Sequence, residues 1–143
     1  MLKTISPLIS PALLALLAEM GHGDELVLAD ANFPAATLAR RLVRADGLAI
    51  PPLLEGLLRL LPLDGFVTHP AAVMRRVDAP QSDAPIWREY QTRLDAAEGR
   101  SVAMERLERF AFYERARASF AIVATGETAL YGNLILKKGV IAP

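Results

Sequence analysis

The chain has no cysteine, which removes disulfides, zinc–thiolate sites and cysteine nucleophiles from consideration together. Histidine is nearly as scarce: with only His22 and His69, a site built from several imidazoles is not expected. Charge of one sign is also missing. Sixteen acidic residues balance sixteen basic ones, so no electrostatic footprint points to nucleic acid or to an anionic membrane. No phosphate-binding Gly-x-x-x-x-Gly-Lys loop, dinucleotide fingerprint, His-Glu-x-x-His pair or nucleophile-elbow serine occurs. Internal repeats and low-complexity tracts are absent too.

Long hydrophobic runs are likewise lacking, with one near exception. Lys3 followed by Ala12-Leu13-Leu14-Ala15-Leu16-Leu17-Ala18 imitates a signal peptide, but Ser10-Pro11 reads as a helix start and Glu19 interrupts the run. No small-residue cleavage site follows, and a membrane span needs about 20 apolar residues. The segment is therefore expected to be mature structure in a cytoplasmic protein. What the chain does have is apolar content: 52% of its 143 residues are hydrophobic. That is much for so small an interior, so part of this surface is expected to lie between subunits of an oligomer.

The length fits one domain, spanning 1–143. A helix is expected from Pro11 to Met20, then a buried strand over Glu25–Ala29. Phe33-Pro34 opens a short helix through Leu38 to Arg41, and Leu42–Arg44 forms a second strand before the Asp46-Gly47 turn. Pro51-Pro52 starts a helix with an apolar stripe from Leu53 to Leu61. Strand pieces follow between Phe66 and Val77, with Val73, Met74 and Val77 in the core, then a loop over Asp78–Asp83. The segment from Pro85 to Glu98 reads as a helix carrying Trp87, Tyr90 and Leu94 on one face. Strand, helix, strand and strand complete the chain at Val102–Leu107, Phe110–Ser119, Phe120–Thr125 and Leu134–Leu136. Alternating strands and helices point to α/β layers.

Four short segments carry groups able to do chemistry. In Gly21-His22-Gly23-Asp24 the flanking glycines leave the imidazole unshielded at a helix-to-strand corner, and histidine exchanges protons near neutral pH. A plain turn histidine explains the same residues. Asp30 follows a strand, where ligands collect in open α/β sheets, and its carboxylate can accept from ligand hydroxyls or orient His22; capping the Asn32-Phe33-Pro34 turn is the plainer explanation. Arg109 stands where a helix begins and offers a fixed fork of donors, while Phe110, Tyr113 and Arg117 share a face that serves equally as a structural stripe. Tyr131-Gly132-Asn133 sets a phenol and an amide two residues apart, on one side if extended, with Gly132 allowing close backbone approach; an ordinary strand entry explains it as well.

Taken together, these segments resemble the L-fucose mutarotase branch of the D-ribose pyranase/L-fucose mutarotase family. The likeness runs through Ile5-Ser6-Pro7, Leu17–Asp24, Asp30-Ala31, Phe33-Pro34-Ala35, Arg44–Gly47, Arg109–Ala116 and Tyr131–Gly139; the stretch from Val67 to Val102 is least diagnostic. The resemblance implies a three-layer α/β/α subunit with a mixed central sheet, assembled into a ring-like homo-oligomer such as a decamer, with a site free of metal and cofactor. It implies that His22 is the catalytic acid and that Asp30, Arg109, Tyr131, Gly132 and Asn133 bind the sugar. A D-ribose pyranase-like enzyme and a non-catalytic sugar-binding regulator are the competing expectations.

Overall fold

The computed structural model describes all residues from Met1 to Pro143. Eleven elements follow in order: α1 (Pro11–Glu19), β1 (Glu25–Ala29), α2 (Ala35–Leu38), β2 (Leu42–Ala45), α3 (Ile50–Leu58), β3 (Ala71–Met74), α4 (Pro85–Glu98), β4 (Met104–Leu107), α5 (Arg109–Ala118), β5 (Ala121–Thr125) and β6 (Leu134–Lys137). The helix starts have local causes. Ser10 Oγ accepts from the Leu13 amide at 3.1 Å and Pro11 fills the first helical position of α1, while Glu108 Oε2 caps α5 through the Phe110 and Ala111 amides. Gly99 ends α4 in the left-handed conformation at φ 65°, which glycine adopts without a Cβ penalty.

The six strands form one mixed sheet in the order β2-β5-β1-β6-β3-β4. β6 runs antiparallel between β1 and β3, and every other neighbouring pair is parallel. Strand β1 is covered on both faces, so its side chains alternate between two cores. Leu26 and Leu28 join the larger core, which α1, α3 and α4 cover with Leu13, Leu53, Leu57, Trp87, Tyr90 and Leu94. Val27 and Ala29 join the smaller one, closed by Leu38 of α2 and by Phe112 and Ala116 of α5. The result is the expected α/β/α sandwich. Each large side chain taken fully out of water contributes roughly 1.5–3 kcal/mol.

Several details differ from the sequence expectations. α2 ends at Leu38 instead of reaching Arg41, because the backbone leaves the helix at Ala39 and the Arg41 guanidinium turns to the Phe120 carbonyl at 3.1 Å. Between Phe66 and Val77 only Ala71–Met74 is a strand of the sheet. Val77 is 61% exposed and is not a core residue, since the chain departs from the sheet after Met74. The structural face of α5 is Phe112 and Ala116, whereas Phe110 is 61% exposed. No helix is long and apolar enough to cross a membrane.

Candidate functional site

β1 and β3 are both antiparallel to β6, so they end on the same side of the sheet, where β6 begins. Asp30 leaves β1 there, Asn133 enters β6 there, and the two lock together. The Asp30 amide donates to Asn133 Oδ1 at 2.8 Å, and Asn133 Nδ2 donates to Asp30 Oδ2 at 2.9 Å. Asp30 Oδ1 also accepts from the Asn32 amide at 3.0 Å, so the turn-capping role holds alongside any other. Burial raises the Asp30 carboxyl above its ordinary range, outweighing the donors from Asn32, Phe33 and Asn133; the Glu127 charge adds to the rise.

A cavity of about 370 Å³ opens over this pair. Asp30, Asn32 and Asn133 line it with Arg109 and Tyr113 of α5, and Phe33, Met74, Val77, Leu130 and Tyr131 complete the walls. Carboxylate, guanidinium, amide and phenol thus converge with aromatic and aliphatic surface, a combination that suits a small polyhydroxylated ring. A larger groove of about 640 Å³ runs between α3 and α4 past Glu55, Arg59 and Arg93, but none of the candidate residues borders it.

Tyr131 reaches the cavity in the left-handed conformation, φ 59°, and not as extended chain. A non-glycine residue stays there only when its surroundings hold it. Trp87 Nε1 donates to the Tyr131 carbonyl at 2.9 Å, and the Tyr131 hydroxyl accepts from the Val77 amide at 3.2 Å. Gly132 does not line the cavity: its carbonyl accepts from the Tyr90 hydroxyl at 2.6 Å, and a Cβ would lie 2.9 Å from the Ala129 carbonyl oxygen. Close packing inside the protein is reason enough for the glycine in this subunit.

His22 is not with the others. It precedes β1, whereas Asp30 follows it, so the length of a five-residue strand, on the order of 17 Å, separates them. Asp30 therefore does not orient His22 within one chain. The imidazole instead has its Nε2 3.2 Å from Oδ1 of Asp64, a carboxylate 4% exposed, while its own side chain is 48% exposed. The Phe66 ring packs beside it with centroids 5.7 Å apart. The Phe66 amide, and next the His22 ring, hold the Asp64 carboxyl below the ordinary range.

The sequence does not mark Asp64 or Glu127 for function, and it presents Val77 only as a core residue. The Asp64-Gly65 turn is the available signal for Asp64; Val77 acts through its backbone amide, and Glu127 through a carboxylate that accepts distant and local backbone amides, so neither leaves a motif. Trp87 and Tyr90 were legible only as core, yet their polar ends carry the 131–132 carbonyls.

An α/β/α sandwich with a cleft of hydrogen-bonding and aromatic groups at the carboxyl ends of two strands suits a protein that handles a small polar ligand. A family model described as the RbsD / FucU transport protein family matches residues 3–141, and the chain belongs to that family. It is 56% identical to the fucose mutarotase of Homo sapiens over 147 residues, covering 99% of this chain and 95% of that protein. The crystal structure of the Streptococcus pneumoniae fucose mutarotase in complex with L-fucose superposes with a TM-score of 0.89 at 47% identity, covering 99% of this chain and 100% of that one. Bacillus subtilis RbsD complexed with D-ribose shares the fold at a TM-score of 0.73 and 23% identity, covering 99% and 100%.

Proposed function

We infer that this protein is an isomerase of L-fucose, a mutarotase interconverting its α and β anomers by opening and closing the ring. The observation that carries the reading is the likeness, along nearly the whole chain, to a fucose mutarotase whose structure holds L-fucose. D-ribose pyranase activity is the second reading, but the ribose-bound relative stands at 23% identity and supports the fold alone. Side-by-side NMR exchange measurements on L-fucose and D-ribose test the choice: faster exchange of fucose supports it, and faster exchange of ribose alone overturns it.

Mutarotation needs a proton delivered to the ring oxygen as the C1–O bond breaks, while the anomeric hydroxyl gives up its proton to leave an aldehyde. Rotation about C1–C2 and the reverse transfers close the other anomer. Sugars do this unaided in water, so a positioned acid–base pair worth roughly 10²–10⁴ in rate is an adequate catalyst. His22 is the proton donor in this reading, held by Asp64 with its other ring nitrogen free. Asp30, Arg109, Tyr131 and Asn133 take the sugar hydroxyls, and Gly132 contributes by shaping the Tyr131 turn.

Because His22 and the cleft lie at opposite ends of β1, the reading requires a second copy. A neighbouring subunit brings its His22 edge, with exposed Phe66 and Val67, onto the cleft rim, where Val77, Phe110 and Leu130 are exposed. The single mutarotase domain, residues 1–143, then works as a homo-oligomer, with a ring-like decamer as the assembly and the cytoplasm as its compartment.

A further inference from the structure

One buried acid remains unused by this mechanism. Glu127 is 7% exposed and lies in the turn between β5 and the Leu130–Asn133 segment. Its Oε2 accepts from the Ile50 amide at 3.0 Å, at the first residue of α3, and its Oε1 accepts from the Ala129 amide at 2.9 Å. Its own carbonyl accepts from the Ala31 amide at 2.8 Å, next to Asp30. One residue is thereby bonded to the start of a core helix, to the residue after Asp30 and to the turn that delivers Tyr131.

That turn is under constraint. Tyr131 sits at positive φ, and Gly132 packs so closely that a Cβ would lie 3.2 Å from Cγ of Glu127. The Trp87 and Tyr90 donors hold the turn at residues 131 and 132, while Glu127 holds it at 129. A carboxylate at the head of α3 is also favoured by the helix dipole. We propose that Glu127 is a positioning residue for the sugar cleft, its carboxylate fixing the Ala129–Asn133 turn so that Tyr131 and Asn133 meet the substrate in a preset geometry. The inference rests on the mutarotase reading for the identity of the substrate.

Glutamine is the informative replacement. Its amide can accept from one backbone N–H, but its NH₂ then faces the other, setting donor against donor. Glu127 is moreover one of the groups that set the charge around Asp30, with Arg109 on the same cleft and the Tyr90, Tyr113 and Tyr131 phenols nearby. Removing its charge lets Asp30 ionise at lower pH.

The experiment measures L-fucose anomer exchange by NMR for wild type and Glu127→Gln across pH, with amide hydrogen exchange at Ala129 in the wild type. The expected result is a KM raised about tenfold with kcat less affected, an acid limb moved to lower pH, and a protected Ala129 amide. The discriminating readout is the split between KM and kcat together with the Ala129 protection, because looser packing around Asp30 would hydrate its carboxyl and move the acid limb the same way. Wild-type KM and acid limb in a folded Glu127→Gln overturn the proposal, as does an unprotected Ala129 amide whether or not the variant folds. Absence of exchange by the wild type overturns the mutarotase reading instead.

Discussion

Asp64 Oδ1 lies 3.2 Å from Nε2 of His22, a nearly buried carboxylate against a half-exposed imidazole. The pairing fixes one ring nitrogen and leaves the other to meet the sugar, which is how a carboxylate helps a histidine without touching substrate. Asp64→Asn keeps an acceptor for the Phe66 amide, so the loop is expected to persist. We expect kcat for L-fucose exchange to fall on the order of tenfold or more with KM little changed. A KM effect alone would place Asp64 in a purely structural role.

The separation of His22 from the cleft gives a test that needs no structure. His22→Ala and Asp30→Ala are each expected to be inactive alone. When the two are unfolded and refolded together, mixed oligomers carry an intact cleft beside an intact His22, and exchange activity reappears. Activity that stays absent in refolded, oligomeric mixtures contradicts a shared site. Sedimentation of the wild type as a monomer contradicts it equally.

Asp30 predicts where activity is lost in acid. Its carboxyl is raised above 3.8 by burial first, with Glu127 adding to the rise. Below that raised value the protonated group no longer accepts from sugar hydroxyls as a carboxylate. The limb of kcat/KM is therefore expected above the ordinary carboxylate range as pH falls. Stability moves the other way for this group. The folded state binds the proton more tightly than the unfolded chain, so Asp30's contribution to stability is greatest below the unfolded pKa and is lost as pH rises through the folded one. Loss of exchange is thus expected before loss of the fold, read by NMR exchange and circular dichroism over the same pH series.

Two phenylalanines two residues apart separate packing from surface. Phe112 is fully buried in the smaller core and meets Phe33 edge-on, with centroids 5.9 Å apart. Phe112→Ala is expected to cost about 3–5 kcal/mol in urea unfolding. Phe110, 61% exposed within one subunit, is expected to cost clearly less when changed to alanine, because its ring packs only at the rim that meets the neighbouring subunit. Equal losses would contradict the orientation of α5.

These residues also show what the chain discloses before it folds. β1 and α4 were legible to the residue, because a doubly covered strand reads as a continuous apolar run, and Pro85 and Gly99 mark a helix at both ends. The order β2-β5-β1-β6-β3-β4 was not, since it depends on pairings between distant segments. Val77 resembles any core valine in sequence, yet it lies beyond the last strand residue, at the cleft. Asp30, Arg109, Tyr131 and Asn133 were marked by chemistry and do share one cavity. The separation of His22 from Asp30 was legible too, because the expected strand Glu25–Ala29 lies extended between them, and it is this strand that rules out Asp30 orienting His22 within one chain.

The most direct test is saturation transfer between the α and β anomeric protons of L-fucose, with wild-type protein and with His22→Ala. The account predicts fast exchange with wild type and a loss of at least about tenfold in the variant. Exchange by the wild type no faster than in buffer, or a variant as active as the wild type, would contradict it.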